Sequence, residues 1–127
     1  MSFSFNPSLG LIIVRTELEG PSGSAIIRLA LDTGATGTLI NTGLLVSVGY
    51  DPALSKKRVQ VTTGSGVEFA PLILVTKLTA LGRERTEFGV LSHTLPPSAN
   101  VDGLLGLDFL RGQSLMVDFR NGEIKLS

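Results

Sequence analysis

The chain has no cysteine, which removes disulfides, thiol catalysis and thiolate metal sites together and leaves the redox compartment open. It has a single histidine, His93, too few for a multi-histidine metal centre and poor material for a serine–histidine–aspartate hydrolase. Charge is sparse: 17% of residues carry it, and eleven of each sign cancel to zero. The basic run is Lys56-Lys57-Arg58, too short for a nucleic-acid or anionic-membrane surface. Met1 to Leu18 lacks the basic start and long apolar run of a secretory leader. Nothing approaches transmembrane length. The expectation is a soluble, cytoplasmic protein without nucleic-acid or membrane partners.

What is present is apolar. At 127 residues and 43% hydrophobic, the chain can bury one core unaided, and no linker or repeat divides it. A single domain over residues 1–127 is expected. With so few charges, part of its apolar surface is expected to lie under a partner.

Short segments with period-2 alternation dominate. Residues 9–18 read as a strand, and Gly20-Pro21-Ser22-Gly23 turns the chain into a second. There Ala25, Ile27, Leu29 and Leu31 alternate with Ser24, Arg28 and Ala30. A brief helix follows Thr38-Leu39-Ile40, with Asn41 or Thr42 as its cap, Leu44, Leu45 and Val48 on one face, and Gly49 ending it. Strands at 58–62, 67–81 (bent near Pro71) and 86–91 come next, with Leu72, Leu74 and Leu78 read as core. A helical turn at Asp108 to Arg111 and a hairpin turning on Asn121-Gly122 close the chain. Many short strands with glycine-rich turns and little helix predict an all-β, closed, barrel-like domain.

The residue pattern with most chemistry is Leu31-Asp32-Thr33-Gly34-Ala35, where an apolar strand delivers one carboxylate to a tight turn. Taken alone, Asp32 reads as a turn aspartate with a self-satisfied side chain. Leu104-Leu105-Gly106-Leu107-Asp108-Phe109-Leu110 is the second pattern, and Thr63-Gly64-Ser65-Gly66, a hairpin tip, lies between the two. In this order and at this separation they resemble the retropepsin-like aspartic proteases, most closely the small single-domain members. The likeness runs from the first strand to the final hairpin.

That resemblance implies an aspartic endopeptidase acting on polypeptides, needing neither metal nor other cofactor. Water attack on a peptide needs one group to take a proton and another to give one. Two carboxylates about 3 Å apart share a proton and do both, because they cannot both ionise. This chain offers one such carboxylate, since Asp102 reads as a turn residue and Asp108 as a helix-start residue. The resemblance therefore implies a homodimer with Asp32 from each chain as the dyad. It makes Thr33 a contact across the two-fold axis, points the Gly34 amide at the carboxylates, and packs Leu104, Leu105 and Gly106 behind the catalytic loop. Ala35 offers no hydroxyl to an ionised carboxylate, so activity is expected at milder pH than where a hydroxyl residue stands there.

Thr63, Gly64, Ser65 and Gly66 take the place of the family's substrate-binding flap, although an ordinary hairpin also wants glycine at its tip. Ser2 to Asn6 and Glu123 to Leu126 are candidates for interleaved dimer strands. His93, Tyr50 and the Lys56–Arg58 cluster read as solvated loop groups. Two alternatives stand beside the protease: a non-catalytic retropepsin-like dimerisation or peptide-binding module, and an unrelated small β-barrel that binds a small ligand.

Overall fold

Alternation of apolar and polar side chains produces the first long hairpin, β2 (Ile13–Gly20) and β3 (Gly23–Leu31), joined at the Gly20–Gly23 pair. In the computed structural model, which describes residues 1–63 and 66–127, Leu18, Ile27 and Leu29 are completely buried on one face of that hairpin. Next come β4 (Leu39–Asn41), α1 (Thr42–Ser47), β5 (Arg58–Thr63), β6 (Gly66–Ala80) and β7 (Arg83–His93). The order ends with β8 (Gly103–Leu105), α2 (Leu107–Leu110), β9 (Leu115–Asp118) and β10 (Glu123–Leu126), while β1 (Ser2–Ser4) lies at the start.

Strands β2, β3, β8, β4, β7 and β6 are bonded in that order, and β2 pairs again with β6, so the sheet closes into a barrel. The expected all-β, closed, barrel-like fold with two short helices is what is found. Its interior is filled by Leu18, Ile27, Leu29, Val75, Leu78, Val90 and Leu105, all fully buried. Closure removes the unpaired edges that an open sheet would leave. Tyr50 staples the seam: its hydroxyl donates to the Glu19 carbonyl (2.8 Å) in β2 and accepts from the Thr76 amide (2.7 Å) in β6. The reading of Tyr50 as a solvated loop group is therefore wrong. The β6–β7 ladder passes from Val75–Phe88 to Lys77–Thr86, with Glu87 at φ 47°, and the Tyr50 hydroxyl takes up the Thr76 amide at this break.

The inward face of β6 switches twice: from even (Ala70) to odd (Ile73, Val75) at Pro71, and back to even (Leu78, Ala80) past the ladder break at Thr76. As a result Leu74 is 65% exposed and only Leu78 of the three leucines read as core is fully buried. Beyond Pro71, β5 and the first half of β6 form a hairpin in register from Arg58–Pro71 to Thr63–Gly66.

A separate three-stranded sheet runs β1-β10-β9. Phe3 pairs with Ile124, and the Phe5 amide donates to the Gly122 carbonyl at 2.9 Å. Strand β10 thus has neighbours from its own chain on both edges, and the two terminal segments expected to interleave with a partner pair here with one another. The β9–β10 connection spans four residues, Phe119 to Gly122, instead of a two-residue Asn-Gly turn. The Asp118 carboxylate sets its length by accepting the amides of Arg120 (2.9 Å) and Asn121 (3.0 Å). No helix of the described residues is long and apolar enough to cross a membrane.

Candidate active site

Asp32 follows the last residue of β3, held there by β8. Leu29, Ala30 and Leu31 run parallel to Gly103, Leu104 and Leu105, and the Asp32 amide donates to the Leu105 carbonyl at 3.0 Å. One residue further the chain turns: the Ala35 amide donates to the Asp32 carbonyl (3.2 Å), and the Gly34 amide donates to Asp32 Oδ1 (2.9 Å). A Cβ at residue 34 would stand 3.2 Å from that oxygen, so glycine keeps the approach open. Asp32 and Ala35 are half-buried, and Thr33 and Gly34 are exposed.

The turn is supported from behind by a network centred on Thr38 and Asp108, a role that the sequence reading gave to neither. Thr38 is fully buried; its hydroxyl donates to Asp108 Oδ1 (2.7 Å) and accepts from the Gly106 amide (3.1 Å). The Thr38 amide donates to Asp108 Oδ2 at 3.0 Å. Asp108 therefore does not cap α2, whose cap position is Gly106; it ties the far end of the 32–38 loop to the helix. Amides of Leu107 and Asp108 donate to the Ala35 and Thr36 carbonyls, at 2.8 and 3.2 Å. Gly106 permits this contact, since a Cβ there would lie 2.7 Å from the Gly37 carbonyl and 2.9 Å from the Ala35 oxygen. Leu105 is buried beneath the loop and Leu104 is half-buried beside it. Asp102 also does more than turn the chain: Oδ2 accepts the Arg28 amide at 2.7 Å, fixing β3 from its outer side.

A groove of about 630 Å³ opens over Asp32, bounded by Gly34–Leu39, the β5 segment Val59–Val61, and Leu72, Leu91 and Leu104. Of the described residues lining it, Asp32 and Asp108 carry carboxylates, and both oxygens of Asp108 are engaged by Thr38. Asp32 thus has no second carboxylate available to it among the described groove residues of this chain. Among the described residues no group of three or more metal-ligating side chains gathers. Of the expected flap, Thr63 and Gly66 are paired at the end of the β5–β6 hairpin, and Gly64 and Ser65 lie outside the described residues. His93 faces this hairpin, with Nδ1 3.7 Å from Glu68 Oε2.

A family model described as "gag-polyprotein putative aspartyl protease" matches residues 22–112. The chain belongs to that family. The aspartyl protease match takes in the Asp32 turn, the β5–β6 hairpin and the Gly106–Asp108 support. Among solved structures, a retropepsin-like aspartic protease from Rickettsia conorii superposes with a TM-score of 0.73 at 18% identity, over 99% of this chain and 88% of that one. The retroviral protease-like domain of Ddi1 from Leishmania major gives 0.58 at 18% identity, over 94% and 96%. EIAV protease in complex with the inhibitor HBY-793 gives 0.52 at 19%, over 86% and 92%. At such identities the likeness is one of fold. No curated protein sequence matches the chain.

Proposed function

We propose that this protein is a homodimeric aspartic endopeptidase in which Asp32 of each chain supplies half of the catalytic dyad. The observation that carries the reading is the contrast between the two groove carboxylates. Asp108 is consumed by Thr38, whereas Asp32 stands half-buried on the groove floor, at a turn in a family whose members are aspartyl proteases. Paired with its symmetry mate, it would share one proton: the ionised partner takes a proton from water while the protonated one donates to the scissile carbonyl oxygen. The Gly34 amide steadies Asp32 Oδ1, Thr33 is exposed for contact across the axis, and an extended peptide lies between the catalytic loop and the β5–β6 hairpin, whose tip acts as flap.

The test incubates the protein with a random peptide mixture between pH 4 and 7, with and without a transition-state inhibitor of aspartic proteases, beside Asp32→Asn. Cleavage by the parent, blocked by inhibitor and lost in the variant, is expected. Cleavage that survives in the variant removes Asp32 from the chemistry, and no cleavage in any sample favours a binding module.

A further inference from the structure

We propose that the outer edge of β9 is where two copies of this chain join, antiparallel and without exchanging strands, so that two three-stranded sheets become one of six; the inference rests on the two-chain reading above. Strand β9 is bonded to β10 alone, and β10 already has β1 on its other side. Ser114 and Ser127 exchange both of their main-chain bonds, at 2.8 and 2.9 Å. From that pair the antiparallel alternation turns the main-chain groups of Met116 toward Lys125, its partner in register, and those of Leu115 and Val117 away from β10. Among the described residues no other strand or turn takes them up. Such an edge accepts a further strand. The opposite edge is less open, since β1 borders Ile13, Val14 and Arg15 of β2 across a cavity of about 170 Å³.

A second copy fits this edge because the edge is complementary to itself. With a two-fold axis at Met116, Leu115 of each chain exchanges both bonds with the partner's Val117, which satisfies all of the outward groups. Met116 is 44% exposed, on the face away from buried Ile124 and Leu126, and at the axis it meets the partner's Met116. The same axis bears on the site. Strand β9 follows α2 after residues 111–114, Gln113 ties that connection to the Phe109 carbonyl at 3.0 Å, and α2 donates to the Ala35 and Thr36 carbonyls of the catalytic turn. A short bonded path thus links the strand at the junction to the turn that carries Asp32. One axis serving both is what uniting two Asp32 carboxylates requires.

The experiment uses the absence of cysteine, which makes any introduced thiol unique. A non-hydrogen-bonded antiparallel pair brings its Cα atoms to about 4.5 Å, within disulfide reach. Under mild oxidation Met116→Cys is expected to run as a covalent dimer on a non-reducing gel. Lys125→Cys, opposite Met116 but one strand further from the axis, is expected to stay a monomer there. Met116→Glu and Met116→Lys place like charges face to face, and each is expected to raise the dimer dissociation constant, read by sedimentation, at least about tenfold. An equimolar mixture of the two is expected to recover the parent's value, an outcome that mere destabilisation would not produce. No crosslink in Met116→Cys, an equal one in Lys125→Cys, charge variants that dimerise like the parent, or a mixture no tighter than its components overturns the inference. Because assembly is read without substrate, a dimer that behaves as expected but cleaves nothing refutes the protease reading alone. A parent that cleaves peptides while both charge variants dimerise normally refutes the β9 junction alone.

Discussion

Asp32, Asp102 and Asp108 are chemically identical, and they differ in what their oxygens accept. Asp102 is bound to the Arg28 amide and Asp108 to Thr38, whereas Asp32 takes the Gly34 amide at the groove floor. Replacing Asp32 with asparagine is expected to lower kcat by at least about 10²–10⁴, the range for losing a positioned acid–base group, with little change in melting temperature. In Ala35→Ser, a hydroxyl able to bond the ionised carboxylate is expected to move the acid limb of the pH–rate profile to lower pH; an unmoved or upward-shifted limb would count against it. Thr38→Val leaves the Asp108 carboxylate and the Gly106 amide short of a partner in buried surroundings. A loss of roughly 1–3 kcal/mol in denaturant unfolding is expected, since the stranded groups bear the desolvation cost. Asp32 was legible because its signature is local: strand, carboxylate, Thr-Gly. Thr38 and Asp108 were not, because their bond joins residues seventy positions apart and leaves no mark on either neighbourhood.

Among the elements, strands with clean alternation were readable and those that break it were not. Burial follows the period over residues 24–29 and breaks at Ala30, which is buried although it falls in the outward phase; the observed β3 begins one residue before the expected strand. In β6 the proline bend exchanges the faces, so a leucine in phase with the core, Leu74, is turned outward. The expected strands 67–81 and 86–91 put the β6–β7 turn at 82–85, and it lies slightly earlier, at Leu81-Gly82. It has Leu81 at φ 52° before Gly82 at φ 74°, and Leu81 is 5% exposed, so core packing imposes a conformation that leucine does not announce. The α2 helix was readable as a single turn, and its importance lies in Phe109. This side chain is fully buried, meets Phe88 edge-on at 5.9 Å and lies under the Arg85 guanidinium at 5.0 Å. The β9–β10 connection supplies a pH test. Bonds from the Asn121 backbone and side chain, and then from the Arg120 backbone, hold the Asp118 carboxyl below its ordinary 3.8. A lowered value favours the ionised form in the folded protein, so this stabilisation is complete above about pH 4 and drains away as pH falls through the lowered value. Asp118→Ala is expected to melt below the parent at pH 6, with the gap narrowing toward pH 2.

For the molecule as a whole, the barrel was legible because strand count, turn spacing and scarcity of helix all point to a closed sheet. The terminal sheet was not, because pairing within the chain and pairing with a partner use the same edge strands and the same sequence. On the proposed reading, in which each subunit supplies half a dyad, activity is expected to rise with the square of protein concentration at high dilution and linearly once dimers saturate. Strict linearity down to the lowest measurable concentration would exclude a shared site. The rung joining Ser2 to Lys125 has a further consequence for how the protein is made. The first strand has no seat until synthesis has passed Leu126, so Phe3 and Phe5 wait in water while residues 6–126 are assembled. The loop that this contact closes is more than a hundred residues long, which makes the terminal sheet costly in entropy to nucleate and suited to docking last, onto a barrel already formed.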